Sequence, residues 1–203
     1  RDSSTSRGLG DVYKRQLVRT EGGFKGYNTD ILGLDRELSD VGISLEDKCV
    51  VIIGAGGAAR AIAFLCAGKK ASEIYIMNRT LKKAQNIADA VNEYAKKDIA
   101  KAAGISECGS FDKKDYIVIQ TTSVGLHPHD DETAVTADEF YENAAAGVDI
   151  IYNPYETMFM KLMKKHGKPA YNGLKMLLYQ GVAAYELWND CKISSDMADI
   201  IYE

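Results

Sequence analysis

The stretch Gly54-Ala55-Gly56-Gly57-Ala58-Ala59 has the spacing G-x-G-x-x-A. It lies between an apolar run, Val50–Ile53, and a segment with helical apolar spacing. In that context each small residue has a chemical reading. Gly54 permits a tight strand-to-helix turn, Gly56 leaves room for a pyrophosphate to approach the backbone, and Ala59 lets helix and strand pack closely. The helix opened by Gly57 and Ala58 presents unpaired N–H groups and a partial positive charge to phosphate oxygens. The same residues also suit a turn used only for close packing.

About 20 residues further on, an NAD site places a carboxylate for the ribose 2′-OH. This chain has Asn78-Arg79-Thr80 there, then Lys82 and Lys83. No acidic group repels a 2′-phosphate; Arg79 can stack on adenine and bond phosphate, and Lys83 adds charge. The residues favour NADP over NAD. Lys82 and Lys83 fall in the first turn of a helix, where cations are unfavourable, and a bound anion offsets that cost. A solvated basic helix start is the plainer alternative. His127-Pro128-His129 offers two imidazoles with no Cys or third His nearby, so no metal site is expected. Cys49, Cys66, Cys108 and Cys191 form no CxxC pair; neither a disulfide nor a zinc site is expected, and a reducing cytoplasm fits best.

The elements that must position these groups alternate. "LVRTEGGFKGYNTD" reads as two short strands around a Gly22-Gly23 turn. "TDILGLDRELSDVGI" reads as a helix with Ile31, Leu34 and Leu38 on one face, Thr29 or Asp30 as N-cap and Gly42 as stop. Strands follow at 48–53, 73–77, 116–120, 147–152 and 169–171, with a further one near Ile105–Cys108. Helices are expected at 57–68, 81–94, 157–166 and 174–188, that at 81–94 burying Ala84, Ile87, Ala88 and Val91. Met176, Leu177 and Trp188 read as core. This order implies an α/β fold: a doubly wound, Rossmann-like parallel sheet with helices on both faces. The chain has 203 residues, 46% of them hydrophobic, and a net charge of -4. No global basic field attracts nucleic acid, and no apolar run reaches the roughly 18 residues of a membrane span.

Taken together, "GYNTD", "GAGGAARA", "NRT", "TTSVGLHP", "DIIYNPYET" and "NGLKMLLYQG", in that order, resemble shikimate dehydrogenase from about Leu17 to Asp190. The resemblance implies reversible reduction of 3-dehydroshikimate to shikimate with NADPH, on the route to chorismate and the aromatic amino acids. It implies two α/β domains with the site in the cleft between them, and a homodimer is compatible with it. Asp30 would be the catalytic-site aspartate that bonds substrate hydroxyls, with a lysine of the N-terminal domain as its partner in proton transfer. Gly54, Ala55, Gly56, Gly57 and Ala58 would match the pyrophosphate loop. Asn78, Arg79, Thr80 and Lys83 would match the 2′-phosphate segment, Lys83 standing where arginine is common. Thr121 and Thr122 would lie beside the cofactor. The family usually has NxTPxGM there, from which Gln120, Ser123 and Leu126 depart. Ile150 would line the nicotinamide pocket and Gly173 approach it through its backbone. Tyr152 and Gln180 would contact substrate. Other readings stay open for three of these: Asp30 as a helix cap, Tyr152 as strand-end packing, Gln180 as an enclosed amide that needs a partner.

The resulting division is a tail at 1–16, polar and either disordered or non-native; a remnant of a substrate domain with a linker helix at 17–46; an NADP-binding domain at 47–173; and a C-terminal helical region at 174–203. The family's N-terminal domain and its lysine are not matched, so the chain reads as a fragment, inactive alone. A quinate/shikimate dehydrogenase is the close alternative, which an acidic residue after Arg79 would support and Thr80 does not. A non-catalytic nucleotide-binding module and the nucleotide domain of a fused protein are further alternatives.

Overall fold

In the computed structural model, which describes residues 16–202, the chain opens with an antiparallel hairpin. Its strands are β1 (Gln16–Thr20) and β2 (Gly23–Tyr27), with Gln16 opposite Tyr27 and Thr20 opposite Gly23. The turn is Glu21-Gly22, one residue earlier than expected, because Gly23 pairs within the ladder. The tail reading lies outside the described residues, save for Gln16, which opens β1. Helix α1 follows (Thr29–Asp40). Its N-cap is Asn28 rather than Thr29 or Asp30: the Asn28 side chain accepts from the N–H groups of Asp30 at 3.0 Å and Ile31 at 3.3 Å. An Asn at this place satisfies donors that the helix itself leaves open, and Asp30 stands in the first turn.

The next segment alternates strand and helix. It comprises β3 (Cys49–Ile53), α2 (Gly57–Gly68), β4 (Glu73–Asn78), α3 (Leu81–Ala95), β5 (Ala100–Gly104), a 3-10 turn (Ile105–Ser110), β6 (Tyr116–Gln120), α4 (Asp138–Asn143), β7 (Ala144–Asp149), α5 (Met158–Lys165) and β8 (Ala170–Tyr171). The strands form one parallel sheet in the order β5-β4-β3-β6-β7-β8. Val50, Val51, Ile52 and Ile53 are all fully enclosed, as a strand covered on both faces must be. On one face Val51, Ile53 and Val118 pack with Phe140, Tyr141, Phe159, Met160 and Met163. Val50 and Ile52 point the other way, as strand alternation requires. Helix α3 buries Ala84, Ile87, Ala88 and Val91, the expected stripe.

Two strand positions differ from expectation. The strand expected near Ile105–Cys108 is the 3-10 turn, and β5 is Ala100–Gly104. "AKAAG" has low strand propensity, and it holds its place as an edge strand through pairing with β4. The strand expected at 147–152 is Ala144–Asp149. Its first three alanines carry no strand signal of their own, yet they pair beside Tyr116 and Ile117. Tyr152 therefore falls beyond the strand.

Helices α6 (Leu174–Asn189) and α7 (Ser195–Tyr202) complete the chain. The molecule divides into two units, one of Ile43–Leu174 and one of the residues before and after. In the second unit Arg36 pairs with Glu186 at 2.5 Å, and Lys175 pairs with Asp40. Tyr179, Val182 and Ala198 form a small buried cluster there. Met176 is buried as expected, whereas Leu177 and Trp188 are exposed: they lie on a face of α6 that no described element of their unit covers. No helix among the described residues is long and apolar enough to cross a membrane.

Candidate functional site

Strands β3 and β6 are neighbours, yet the chain proceeds from them toward opposite edges of the sheet. Such a switch point leaves a crevice at the carboxyl ends of the two strands. From β3 the chain leaves through Gly54, whose φ of 114° disfavours a side chain. A Cβ there would lie 2.5 Å from Thr121 Oγ1 and 3.1 Å from Thr122 Cγ2. The Gly54 N–H donates to the Met77 carbonyl at 2.8 Å. From β6, Thr121 donates twice to the Ile53 carbonyl, through its N–H at 2.9 Å and its hydroxyl at 2.7 Å. The two exits are thereby tied together.

Helix α2 starts at this crevice with Gly56 as a cap that has no side chain, so its first N–H groups receive no side-chain acceptor. At the end of β4, Asn78 Nδ2 donates to the Thr80 carbonyl at 3.0 Å. Thr80 caps α3 without a side-chain hydrogen bond, and no acidic residue lies in the first turn of α3. A cavity of about 640 Å³ opens between these segments. Its lining gathers Gly54, Ala55, Gly56, Asn78, Arg79, Thr80, Lys83, Thr121 and Thr122 from the sequence expectation. Gly57 and Ala58 begin α2 directly behind the turn and are not among the lining residues. Five further residues join: Ile105, Ser123, Val124, Thr133 and Ala134. Ser123 and Val124 continue the loop already singled out. Ile105 was hidden by the misplaced strand, and Thr133-Ala134 carries no signal in the sequence. Among the described residues, Arg79 and Lys83 are the charged members of the lining and no carboxylate joins them.

Ile150 and Gly173 come together apart from this lining. The Gly173 N–H donates to the Ile151 carbonyl at 2.9 Å, and the Ile150 N–H to the Gln120 carbonyl at 3.1 Å. Just before them Asp149 is fully enclosed; its carboxylate accepts from the Ile151 N–H at 3.0 Å and the Thr157 hydroxyl at 2.7 Å. Burial pushes the Asp149 carboxyl up to about 6, against these two hydrogen bonds, which pull it down. Asn172 donates to the Tyr155 carbonyl at 2.8 Å and closes the same loop from its other side. Tyr152 in this loop is 49% exposed, so it is not a strand-end packing residue.

Asp30 and Gln180 belong to the other unit. Asp30 stands in the first turn of α1. Gln180 is half-buried on α6, so its amide is not the enclosed group that would require a protein partner. His127 and His129 face Asp130 and Glu132, each at 3.2 Å. Among the described residues no cluster of His, Cys, Asp or Glu is arranged to hold a metal ion. The four cysteines are unpaired.

The strand order, the glycine turn at the switch point and the helices beside the sheet define a doubly wound, Rossmann-like α/β unit. Residues 37–139 match the family model described as shikimate / quinate 5-dehydrogenase, and residues 173–196 match the shikimate 5′-dehydrogenase C-terminal domain. A protein named shikimate dehydrogenase (NADP(+)) from Bacillus mycoides is 38% identical over 177 residues, 86% of this chain and 62% of its own length. A chorismate mutase/shikimate 5-dehydrogenase fusion protein from Clostridium acetobutylicum superposes with a TM-score of 0.84 at 31% identity, covering 98% of this chain and 68% of that one. A shikimate dehydrogenase solved in complex with NADP+ gives a TM-score of 0.77 at 35% identity, covering 92% of this chain and 64% of that one. The chain belongs to the shikimate/quinate 5-dehydrogenase family. It spans about three fifths of the length of the curated relatives it matches, 62% for the Bacillus protein.

Proposed function

We propose that the chain carries the cofactor-binding part of an NADP-dependent shikimate dehydrogenase, an oxidoreductase acting on a CH–OH group in the route to chorismate. The observation that carries this reading is the lining of the cavity, with Arg79 and Lys83 and no carboxylate among the described residues, at the side-chain-free start of α2. The residues fit a dinucleotide. A Cβ built on Gly56 would meet nothing within 4 Å, so the space before the helix is open, and the volume lies in the range of small-molecule sites. Gly54, Ala55, Gly56, Gly57 and Ala58 would hold the pyrophosphate, and Asn78, Arg79, Thr80 and Lys83 the 2′-phosphate. Thr121 and Thr122 would close the side, with Ile150 and Gly173 toward the nicotinamide. NADPH, when bound, supplies a hydride.

Asp30 would accept hydrogen bonds from substrate hydroxyls and fix their orientation, with Tyr152 and Gln180 as further substrate contacts. The names of the relatives support shikimate as substrate, and quinate is the natural comparison. The proposed setting is the cytoplasm and the proposed assembly a homodimer. The apolar residues exposed on the hairpin and the last helices, Phe24, Trp188 and Ile200 among them, support association; sedimentation of the purified chain measures it.

Calorimetric titration tests the cofactor reading. NADPH is expected to bind more tightly than NADH, and the preference should shrink as salt rises. Arg79→Ala should raise the Kd for NADPH about tenfold to a hundredfold, the worth of a lost charge-assisted hydrogen bond, and change that for NADH less than about threefold. Tighter binding of NADH by the unaltered chain would overturn the reading.

A further inference from the structure

We propose that Gln120 is the positioning residue of the cofactor cavity: its side-chain amide, at the end of β6, holds the loop Thr121–Val124 in the shape that receives the dinucleotide. The proposal rests on the reading of the cavity given above. Gln120 is 1% exposed and does not itself line the cavity. Its Oε1 accepts the Thr122 N–H at 2.7 Å, and its Nε2 donates to the Thr122 carbonyl at 3.3 Å and the Val124 carbonyl at 3.2 Å. One side chain therefore bridges the backbone on both sides of Ser123. Among the described residues, the loop's further hydrogen bonds run from the Val124 N–H to Thr122 Oγ1 at 3.2 Å and from the Leu126 N–H to the Ser123 carbonyl at 3.2 Å. Thr121 is anchored separately, to Ile53.

The residues so held, Thr122 and Val124, face the cavity. A carboxamide suits the task because it donates and accepts at once. An apolar side chain of equal length would leave the Thr122 N–H and two carbonyls to find water. These groups are only partly buried, so the loop would relax into solvent and β6 would keep its packing through Ile117, Val118 and Ile119. The expected consequence is a change of loop shape with the fold retained.

The experiment compares the full chain with Gln120→Leu, Gln120→Asn and Gln120→Glu, each held well below its own melting temperature. Two quantities are read: hydrogen exchange at the Thr122 amide, and the Kd for NADPH. In Gln120→Leu the amide should exchange fast and the Kd rise about tenfold or more, as two to three lost hydrogen bonds allow. Gln120→Glu turns a carboxylate oxygen toward the Thr122 and Val124 carbonyls in place of the donor, so the repelled loop should lose protection at Thr122 and affinity together. Gln120→Asn should recover affinity to the extent that it restores protection at Thr122. Across every variant that folds, affinity must follow protection. Unchanged affinity in a variant whose Thr122 amide has become fast overturns the proposal. So does lost affinity with the amide still protected, or a folded Gln120→Leu in which neither quantity moves. Should the unaltered chain bind no NADPH, it is the cofactor reading that fails; the exchange arm still decides whether Gln120 holds the loop.

Discussion

Gly173→Ala is expected to lower the unfolding free energy by about 3 kcal/mol, the upper part of the usual range for overpacking. A Cβ built on Gly173 would overlap the Ile150 carbonyl oxygen, with the carbonyl carbon at 2.5 Å and the Ile150 Cα at 2.9 Å. All three atoms are backbone, so no rotamer change relieves the clash. The segment after β7 must move, and with it the bond from the Ile150 N–H to Gln120 and the bond from the Gly173 N–H to Ile151. For a chain of this size the expected fall in Tm is roughly 6–12 °C. Gly181→Ala is the control. Gly181 lies inside α6, and a Cβ there would meet nothing within 4 Å. Alanine at that place should stabilise by about 0.5–1 kcal/mol through helix propensity alone. Urea denaturation of both variants checks the pair. If Gly173→Ala melts with the unaltered chain, the close approach of Ile150 is not what demands a glycine at 173.

Much of the sheet is legible in the sequence because its central strands leave no ambiguity. Val50–Ile53 and Tyr116–Gln120 are apolar runs too short for helices, and each ends in a turn residue or a threonine pair. The edge is where legibility stops. β5 is alanine, lysine and glycine, and only pairing with β4 makes it a strand. The start of β7 is three alanines, indifferent by propensity and placed by β6. Capping shows a similar limit. Asn28, Thr29 and Asp30 are all competent caps, and the first of them takes the role, with the helix starting at Thr29.

The site divides along another line. Positions whose role is steric or electrostatic, such as Gly54 at positive φ and Arg79 beside an uncapped helix start, can be read from type and spacing. Positions that act through tertiary contact cannot. Thr133 and Ala134 reach the cavity from the connection that follows Val124, where no motif marks them. Gln120 stands out in sequence only as a departure from a familiar motif, and its three hydrogen bonds to the following loop form only because that loop turns back over it. Asp149 and Thr157 are eight residues apart, yet they meet at 2.7 Å because the chain between them closes into a loop.

Glu37 has no signal in the sequence and one of the larger expected effects. It lies on α1, 1% exposed, and its Oε2 is buried with no hydrogen-bond partner among the described residues. Burial raises its carboxyl from 4.5 to about 8; Lys175 and the Met176 backbone pull it down, and Asp40, one turn along α1, pushes it further up. At neutral pH the folded state therefore holds Glu37 mostly protonated, while the unfolded chain releases the proton near 4.5. Between those values the native state binds the extra proton, so stability falls as pH rises. The contribution is whole below 4.5 and is lost as pH passes through about 8. Asp149 acts in the same sense, but its window, from 3.8 to about 6, closes earlier. The buried thiols of Cys49, Cys66 and Cys108, pushed up from 9.0, act in the same sense but only as pH nears 9, so the interval from pH 7 to 8 isolates Glu37. There the unaltered chain should lose on the order of 1 kcal/mol, within the limit set by one proton. Glu37→Gln has nothing to ionise, so its urea midpoint should stay level across the interval while that of the unaltered chain falls. Parallel midpoints for the two proteins from pH 7 to 8 would mean that Glu37 is already ionised in the folded state, paired with Lys175 rather than neutral beside it.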